Sequence, residues 1–431
     1  MKISLFLSKR MAASGQQSFS RFIIRMAVVS VAISIAVMIV STALVTGFKN
    51  QISEKIFGFW GHIHITDIDI GDSILEAFPI RKDQPFYATL DSIREVPYVE
   101  EHHFLGTYVE TEGKTRGGVR HVQVFGLIPG IIASDSQIEG IILKGVSTDF
   151  DWQFLEQYLI AGKPVSLGDS VPSRDILLSA YTANRLKVGV GDVFEVYFVE
   201  GNAQLVRRFN VSGIYKTGLE EYDKKFALVD LRHVQRLHNW SEEEISGFEV
   251  FVDDLDDLEV IRDYIYFEVL PNYLFAETIR ERFPEIFEWL DLQDINEVVI
   301  LALMALVAII NMMTTLLILI LERTQMIGTL KALGARNWVI RKVFLYNAGY
   351  ILATGMFWGN LLGVGLSLLQ AKFGFIRLSE ENYYLAVAPI ELQLGSVLLI
   401  NAGTLLLTLV FLLLPTWLVT RIDPVRAIRF R

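Results

Sequence analysis

The sequence contains no cysteine among its 431 residues, which excludes disulfide bonds, thiolate metal sites and cysteine nucleophiles. It also lacks the phosphate-binding pattern GxxxxGK followed by Ser or Thr that is typical of nucleotide hydrolases. The string KVGVGD, which holds Gly189, Gly191 and Asp192, is not followed by a lysine and a helix, so it predicts a hairpin turn. Any ATP hydrolysis linked to this chain would therefore require a separate ATPase.

Few residues form a pattern that predicts catalysis or metal binding. His62 and His64 have the spacing of two metal ligands on a strand, but no third ligand lies within sequence reach. The acidic run at 253–257 lacks the glycine and the closing glutamate of a calcium loop, and we expect Asp254 or Asp256 to cap the helix that follows. No serine lies in a strand-turn-helix elbow. We therefore expect no catalytic residue, metal or cofactor in this chain, and no enzyme activity of its own.

Long uncharged runs dominate the rest of the sequence. Hydrophobic residues make up 52% of the chain and the mean hydropathy is +0.39, which is high for a soluble protein. A bilayer core of about 30 Å needs about 20 apolar residues in a helix, and a charge at its centre is costly. Four runs satisfy both conditions, and the first is too long to be the core of a cleaved signal peptide. We predict membrane helices at residues 22–47, 297–321, 343–371 and 392–420.

Lysine and arginine are concentrated in the short segments on one side of these helices. The first 25 residues carry five basic and no acidic residues, the segment 322–342 carries five and one, and the segment 421–431 carries four and one. Basic loops tend to stay in the cytoplasm. We therefore predict that both termini, 1–21 and 421–431, and the segment between the second and third helices are cytoplasmic. Residues 48–296 and the short loop 372–391 are then outside.

The segment 48–296 alternates between period-two and helical patterns, which predicts a mixed α/β domain. A strand and a helix near each end and a β-rich middle suggest one subdomain interrupted by an insertion at about 130–241, with hinges near Gly130 and Ser241. The predicted strands are His62–Ile68, His121–Phe125, Asp192–Val199, Arg208–Tyr215 and Phe248–Val252. The predicted helices are Phe86–Arg94, Ala180–Leu186 and Leu255–Tyr266.

Two patterns within the membrane helices concern packing. Pro415 lies near the cytoplasmic end of the fourth helix, where it can kink the helix. Gly355, Gly359 and Gly363 are four residues apart on the third helix, which permits another helix to approach closely. That helix could belong to a second copy in a dimer or to the same chain, and the sequence leaves both alternatives open.

The cytoplasmic segment 322–342 reads ERTQMIGTLKALGARNWVIRK. Met326, Leu330 and Leu333 follow helical spacing, Lys331 falls on another face, and Gly334 can end the helix. A short, basic, amphipathic helix between two membrane helices could lie on anionic lipid. It could equally insert an apolar knob into a groove of a cytoplasmic partner. The sequence favours neither alternative.

Several segments resemble one family of transport proteins. ERTQMIGTLKALGAR, which begins at Glu322, and PTWLVTRIDPVRAIR, Pro415–Arg429, resemble the coupling segment and the C-terminal tail of MacB/FtsX-like permeases. The segments Gly47–Ile65, Asp175–Asp192 and Ser212–Leu237 are similar in particular to the lipoprotein-releasing permeases of the LolC/LolE type. The similar segments lie at both ends and in the middle, so the resemblance covers essentially the whole chain.

The resemblance implies a multi-pass permease subunit of the bacterial inner membrane. Such a subunit extracts lipoproteins from the outer leaflet for transfer towards the outer membrane, by mechanotransmission of movement from a cytoplasmic ABC ATPase dimer that binds ATP and Mg²⁺. It works beside a second permease copy or a paralogue, and nucleic acid is not among the implied partners. Two alternatives stay open, a MacB-like efflux permease for peptides or drugs and an FtsX-like signalling subunit.

Two sites follow from the resemblance. The ATPase-coupling residues would be Glu322, Arg323, Met326, Leu330, Leu333 and Gly334. The substrate cavity would be lined by Leu44, Phe48, Ile52, Val298 and Leu301, which could instead face lipid. Relatives that recruit a periplasmic lipoprotein carrier share a proline-bearing hook, whereas the corresponding connection here, Gly201–Arg207, has no proline. Docking of that carrier by this subunit therefore stays open.

Overall fold

Among the residues that the computed structural model describes, four helices are long and apolar enough to cross a membrane. The four membrane helices are Ser18–Trp60, Pro284–Glu322, Asn337–Phe373 and Leu394–Phe411, the last continued by the short helices Leu413–Thr416 and Leu418–Arg421. These helices confirm the four predicted apolar runs. Three of them extend well beyond the predicted spans, because helical structure continues into charged sequence that a hydropathy criterion excludes.

The structure describes residues 18–69, 78–104, 107–134, 137–168, 171–200 and 203–421. These residues form two compact units. The membrane unit comprises the described residues up to Gln51, Glu288–Arg377 and those from Val387 onwards. The sheet unit comprises Ile52–Phe287 and Leu378–Ala386.

A glycine face on the third membrane helix packs against the first membrane helix. A Cβ atom added at Gly359 would lie 2.8 Å from the carbonyl oxygen of Ala32 and 2.8 Å from Cβ of Ile35. Added Cβ atoms at Gly355 and Gly363 would likewise meet atoms of the first membrane helix at about 3 Å. The two backbones approach this closely because the glycines have no side chain. Packing within the chain therefore accounts for the glycine pattern without a dimer seam.

Polar side chains connect the membrane helices in two pairs. The hydroxyl of Thr42 donates a hydrogen bond of 2.6 Å to the carboxylate of Glu297, which joins the first and second helices. Asn360 and Asn401 donate to each other at 2.7 and 2.8 Å, which joins the third and fourth. Such contacts are typical of helix association in a membrane, where apolar burial gives little net gain.

The fourth membrane helix is interrupted close to the predicted position. Its regular part ends at Phe411, and the chain then forms two single-turn helices around Pro415. Proline has no N–H group to bond the carbonyl four residues earlier, which here belongs to Phe411. The interruption at Leu412 confirms the predicted effect of the proline.

The sheet unit is built on a large mixed β-sheet of ten strands. The strands of this unit are β1 Ile63–Asp67, β2 Ile80–Arg81, β3 Pro97–Phe104, β4 Thr107–Lys114, β5 Val119–Ser134, β6 Gln137–Val146, β7 Leu159–Gly162, β8 Asp175–Ser179, β9 Val193–Glu200, β10 Ala203–Tyr215, β11 Phe226–Asp230, β12 Glu244–Ile245, β13 Gly247–Val252 and β14 Leu274–Thr278. The strand order in the large sheet is β14-β1-β13-β5-β6-β11-β8-β10-β7, with β9 pairing to β10 and β5. Two small separate sheets are formed by β2 with β12 and by β3 with β4. In the large sheet, the pairs β6–β11 and β8–β10 are parallel and the others are antiparallel.

Short helices flank this sheet, and three of them match predicted helices. They are Tyr87–Ser92, Gln153–Gln157, Ala180–Leu186, Glu220–Lys225, Leu231–Leu237, Leu258–Tyr264, Ile279–Arg282 and Glu380–Tyr383, together with a 3₁₀ turn at Leu255–Asp257 and a π-helical turn at Ile265–Val269. The carboxylate of Asp254 accepts a hydrogen bond from the Asp256 amide, so the expected cap is present. The backbone amide of Asp192 donates to the carbonyl of Gly189, which forms a turn at KVGVGD. The prediction of a hairpin is wrong, because this turn links the helix Ala180–Leu186 to β9 and not two strands.

The structure differs from two expectations for the sheet unit. Strand β5 continues through Gly130, which is paired with Ile141, so no hinge falls there. A Cβ atom at Gly130 would lie 2.9 Å from side-chain atoms of Val196 and of Phe198, so the glycine provides space for packing. The expected connection Gly201–Arg207 is also mostly strand, because β10 begins at Ala203.

His62 gives the sheet unit a pH-dependent contribution to stability. Its Nδ1 atom accepts a hydrogen bond from the amide of Val252 at 2.8 Å. Burial lowers the pKa of His62 to about 3, and Arg120 and Arg280 reinforce this shift. The folded protein therefore holds His62 neutral, whereas the unfolded chain takes up a proton below its ordinary pKa of about 6.5.

We expect this contribution to be complete above about pH 6.5 and to be lost as the pH falls towards 3. By pH 5 the loss should reach about 2 kcal/mol. The control is His62→Asn, which cannot titrate and whose side-chain oxygen can still accept the Val252 hydrogen bond. Thermal melting of both proteins in detergent from pH 7.5 to 5 measures the difference. Equal pH dependence of the two proteins would contradict the assignment.

Candidate functional site

The segment between the second and third membrane helices forms a short helix, Thr324–Ala332. It ends as its sequence predicts. Gly334 adopts a left-handed conformation with φ of 87°, and its amide donates to the carbonyl of Lys331. The amide of Ala335 then donates to the carbonyl of Leu330. These bonds satisfy carbonyl groups that a helix end leaves free, and glycine adopts this conformation without strain.

The structure separates the three residues of the predicted apolar knob. Met326 and Leu330 pack against the hydrophobic core of the membrane unit, beside the fully buried Ile327. Leu333 lies just past the helix end and is 79% exposed. Of the other predicted coupling residues, Glu322 is half-buried at the end of the second membrane helix. Arg323 is half-buried in the link that follows.

Two exposed apolar residues that follow Leu333 closely in the sequence were not predicted as part of the site. Trp338 is 53% exposed and Val339 is 38% exposed. Both lie in the first turn of the third membrane helix, which begins at Asn337. The ammonium group of Lys342 lies 5.4 Å from the centre of the Trp338 ring. We call Leu333, Trp338 and Val339 the coupling surface.

Two basic residues of this segment bind the end of the fourth membrane helix. The ammonium group of Lys331 donates to the carbonyl of Thr420 at 3.2 Å, and the guanidinium group of Arg341 donates to the carbonyl of Thr416 at 3.1 Å. Carbonyl groups at a helix C-terminus carry partial negative charge and favour a nearby cation. The short helix is therefore held by apolar packing and by the Lys331 contact, so a displacement of it would reach the membrane helices. The Arg341 contact joins the third membrane helix to the fourth.

The residues predicted to line a substrate cavity do not share one environment. Phe48 is buried, with its ring 5.5 Å from that of Trp289, and Ile52 is fully buried. Leu301 packs against the core of the membrane unit. Leu44 is half-buried and Val298 is exposed. Val298 therefore remains the residue of this set that is most available to lipid, substrate or a second subunit.

Among the described residues, no group of three or more His, Asp or Glu side chains could hold a metal ion. His62 and His64 are both buried and bonded to backbone groups.

Comparisons with known proteins cover nearly the whole chain. The model of the MacB-like periplasmic core domain matches residues 26–265, more than half of the chain. The model of the FtsX-like permease C-terminal region matches residues 298–424. These matches follow the order of a first membrane helix, a sheet unit and three further membrane helices.

Curated relatives match over full length at low identity. The lipoprotein-releasing system transmembrane protein LolC of Xylella fastidiosa is 21% identical, over 97% of this chain and 96% of its own. LolC of Neisseria meningitidis is 23% identical over the same shares. The lipoprotein-releasing system transmembrane protein LolE of Haemophilus influenzae is 22% identical over 99% of both chains. The chain thus belongs to the family of FtsX-like permeases that carry a MacB-like periplasmic core domain.

Proposed function

We propose that the chain is the transmembrane permease subunit of an ATP-driven transporter that extracts lipoproteins from the outer leaflet of the bacterial inner membrane. Released lipoproteins would then be transferred towards the outer membrane. The observation that carries this proposal is the full-length similarity to proteins named as lipoprotein-releasing system transmembrane proteins. The order of membrane helices and sheet unit supports it.

Extraction of a lipid-anchored protein requires an external source of work. Each acyl methylene buried in the bilayer contributes about 0.8 kcal/mol to membrane binding. A lipid anchor with several acyl chains therefore does not leave the bilayer spontaneously. This sequence has no phosphate-binding loop of its own. ATP and Mg²⁺ would therefore be bound by a partner ATPase dimer on the cytoplasmic side, and a second permease copy or paralogue would complete the transporter.

The coupling surface is the part of this chain that we assign to the ATPase. Its three apolar side chains are exposed, and they lie in a basic segment that the distribution of lysine and arginine predicts to be cytoplasmic. Exposed apolar side chains on or beside a helix can fill a hydrophobic groove of a partner protein. Met326 and Leu330 would pass the movement to the core of the membrane unit, against which they pack.

We expect Leu333→Asp to reduce the amount of co-purified ATPase by at least about tenfold, because a charge would enter an apolar contact without a partner. The protein should still fold, since Leu333 is exposed. The matched control is Val190→Asp, an apolar to acidic change at a residue of the sheet unit that is 46% exposed. It should leave the ATPase bound. If Leu333→Asp retained the full amount of ATPase, the segment would instead lie on lipid.

Depletion of the chain in cells tests the proposed function itself. Under the proposal, newly made lipoproteins accumulate in the inner membrane. If the chain were an efflux permease, cells would become sensitive to a drug or peptide while lipoproteins still reached the outer membrane. Cell fractionation followed by detection of a lipoprotein distinguishes the two functions.

A further inference from the structure

The first membrane helix ends inside the sheet unit, at Trp60. Gly61 follows in a left-handed conformation with φ of 76°, and its amide donates to the carbonyl of Phe57 at 2.7 Å. The carbonyl groups of the last turn otherwise lack partners within the helix. Because this end is buried, other groups of the sheet unit must bind those carbonyls.

A fully buried lysine binds one of the last carbonyl groups. The ammonium group of Lys144, on β6, donates to the carbonyl of Phe59 at 2.6 Å and lies 2.7 Å from a carboxylate oxygen of Glu249, on β13. Both side chains are completely buried. The ammonium group also lies 4.9 Å from the centre of the Trp60 ring. A cation thus sits at the negative end of the helix, and a carboxylate of the sheet neutralises it.

Neighbouring strands complete this arrangement. Gln123, Glu249 and His64 lie directly opposite one another on β5, β13 and β1. The amide of Gln123 donates to the second carboxylate oxygen of Glu249 at 2.6 Å, and Nε2 of His64 lies 2.8 Å from the carbonyl of Trp60. The last two residues of the helix are therefore each bound, through the carbonyl, by a side chain of the sheet.

Stability alone gives a poor reason for this buried ion pair. Removal of two charges from water is costly, and replacement of a whole buried pair by uncharged residues is often neutral or stabilising. The pair does, however, fix geometry, since Lys144 can reach Glu249 and the Phe59 carbonyl together only when the helix end keeps one position against the sheet. An arrangement of this kind removes a hinge at the end of the first membrane helix.

We propose that Lys144 and Glu249 are positioning residues that lock the end of the first membrane helix to the sheet, so that movement of that helix reaches the sheet unit undiminished. We call this contact of Lys144 with Glu249 and the Phe59 carbonyl the helix joint. This inference rests on the proposed function for its role in lipoprotein release, but its geometry can be measured without any lipoprotein.

The test uses the absence of cysteine from the chain. Spin labels on cysteines introduced at Glu54, on the last turns of the helix, and at Arg120, on β5, report the distance across the joint, since both residues are exposed. The double variant Lys144→Met/Glu249→Gln removes both charges and leaves no unpaired ion. The matched control, Lys82→Met/Glu243→Gln, makes the same changes in an exposed pair 3.7 Å apart.

We expect the double variant to fold and to bind the ATPase, but to show a distance distribution at least about twice as broad and lipoprotein release reduced at least about tenfold. The control variant should match the parent protein in all these measurements. Labels at Arg120 and Asn210, both exposed on the sheet, should give the same distribution in every protein. A folded double variant with a narrow distribution would overturn the joint.

A second measurement does not depend on the variant folding. In the parent protein, the distance between labels at positions 54 and 120 should remain narrow and unchanged with the ATPase nucleotide-free and with its nucleotide sites filled. A shifted or broadened distribution in either state would show that the helix end moves against the sheet and would overturn the proposal. If the parent protein released no lipoprotein while the distances were as expected, the result would instead count against the proposed function.

Discussion

Replacement of Gly359 by leucine is expected to remove most of the folded protein from the membrane. A Cβ atom at this position would already lie 2.8 Å from the backbone of the first membrane helix at Ala32. That backbone cannot yield as a flexible side chain would. Overpacking a core costs about 1–3 kcal/mol and sometimes more, and we expect about 3 kcal/mol or more here because a whole leucine side chain must enter.

The matched control is Gly365→Leu on the same helix, where an added Cβ atom would meet nothing within 4 Å. It should fold like the parent protein. The fraction of protein that elutes as a single species from size exclusion in detergent measures the effect. Equal yields of the two variants would contradict the close packing of the first and third membrane helices. If the parent protein and Gly365→Leu were dimers and Gly359→Leu were a folded monomer, the glycine face would instead form a dimer contact.

The single substitution Lys144→Met is expected to destabilise the sheet unit by about 3–5 kcal/mol, because it leaves the carboxylate of Glu249 buried without a cation. Glu249→Gln should have a comparable effect, because it leaves the ammonium group of Lys144 buried without a carboxylate. The exposed change Lys82→Met should stay within about 0.5 kcal/mol. Thermal melting of the full chain in detergent measures all three.

The double variant Lys144→Met/Glu249→Gln should recover most of the lost stability. The pair then gives a large coupling free energy in a double-mutant cycle, as expected for residues in direct contact. If the effects of the two single changes were additive, the two charges would not interact. That result would contradict the direct contact that the 2.7 Å separation of Lys144 and Glu249 indicates.

Hydropathy predicted the membrane helices because four long uncharged runs have few alternatives in a folded protein. It did not predict where those helices end. Helical structure continues to Trp60 in the first helix and begins at Pro284 in the second, in sequence rich in charge. The third helix begins at Asn337, so Trp338 and Val339 lie on a helix rather than in a linking segment.

The direction in which each residue of the coupling segment faces could not be read from its spacing. Met326, Ile327 and Leu330 fall on the side of the short helix that packs inward, and Leu333 lies beyond its last turn. Helical spacing groups Met326, Leu330 and Leu333 together only if the helix continues. The left-handed Gly334 shows that the helix stops first, which the glycine itself had suggested.

The helix joint left no signal in the sequence. Lys144 and Glu249 are far apart along the chain, and neither belongs to a short motif. They meet because β6 and β13 lie on either side of β5 in the sheet, an order that local patterns do not specify. The expected hinge at Gly130 failed for a related reason, since glycine within a strand can mark close packing as well as a bend.

Release of a lipoprotein from vesicles would demonstrate directly that the chain is part of a lipoprotein-releasing transporter. The chain would be reconstituted with its ATPase and second permease subunit in proteoliposomes that contain one acylated lipoprotein, and the soluble fraction would be assayed after addition of ATP and an acceptor for the acyl chains. We predict ATP-dependent release by the parent complex and release at background level with Leu333→Asp. If the lipoprotein stayed in the vesicles while the same complex hydrolysed ATP and transported a soluble peptide or drug, the assignment as a lipoprotein-releasing permease would be wrong.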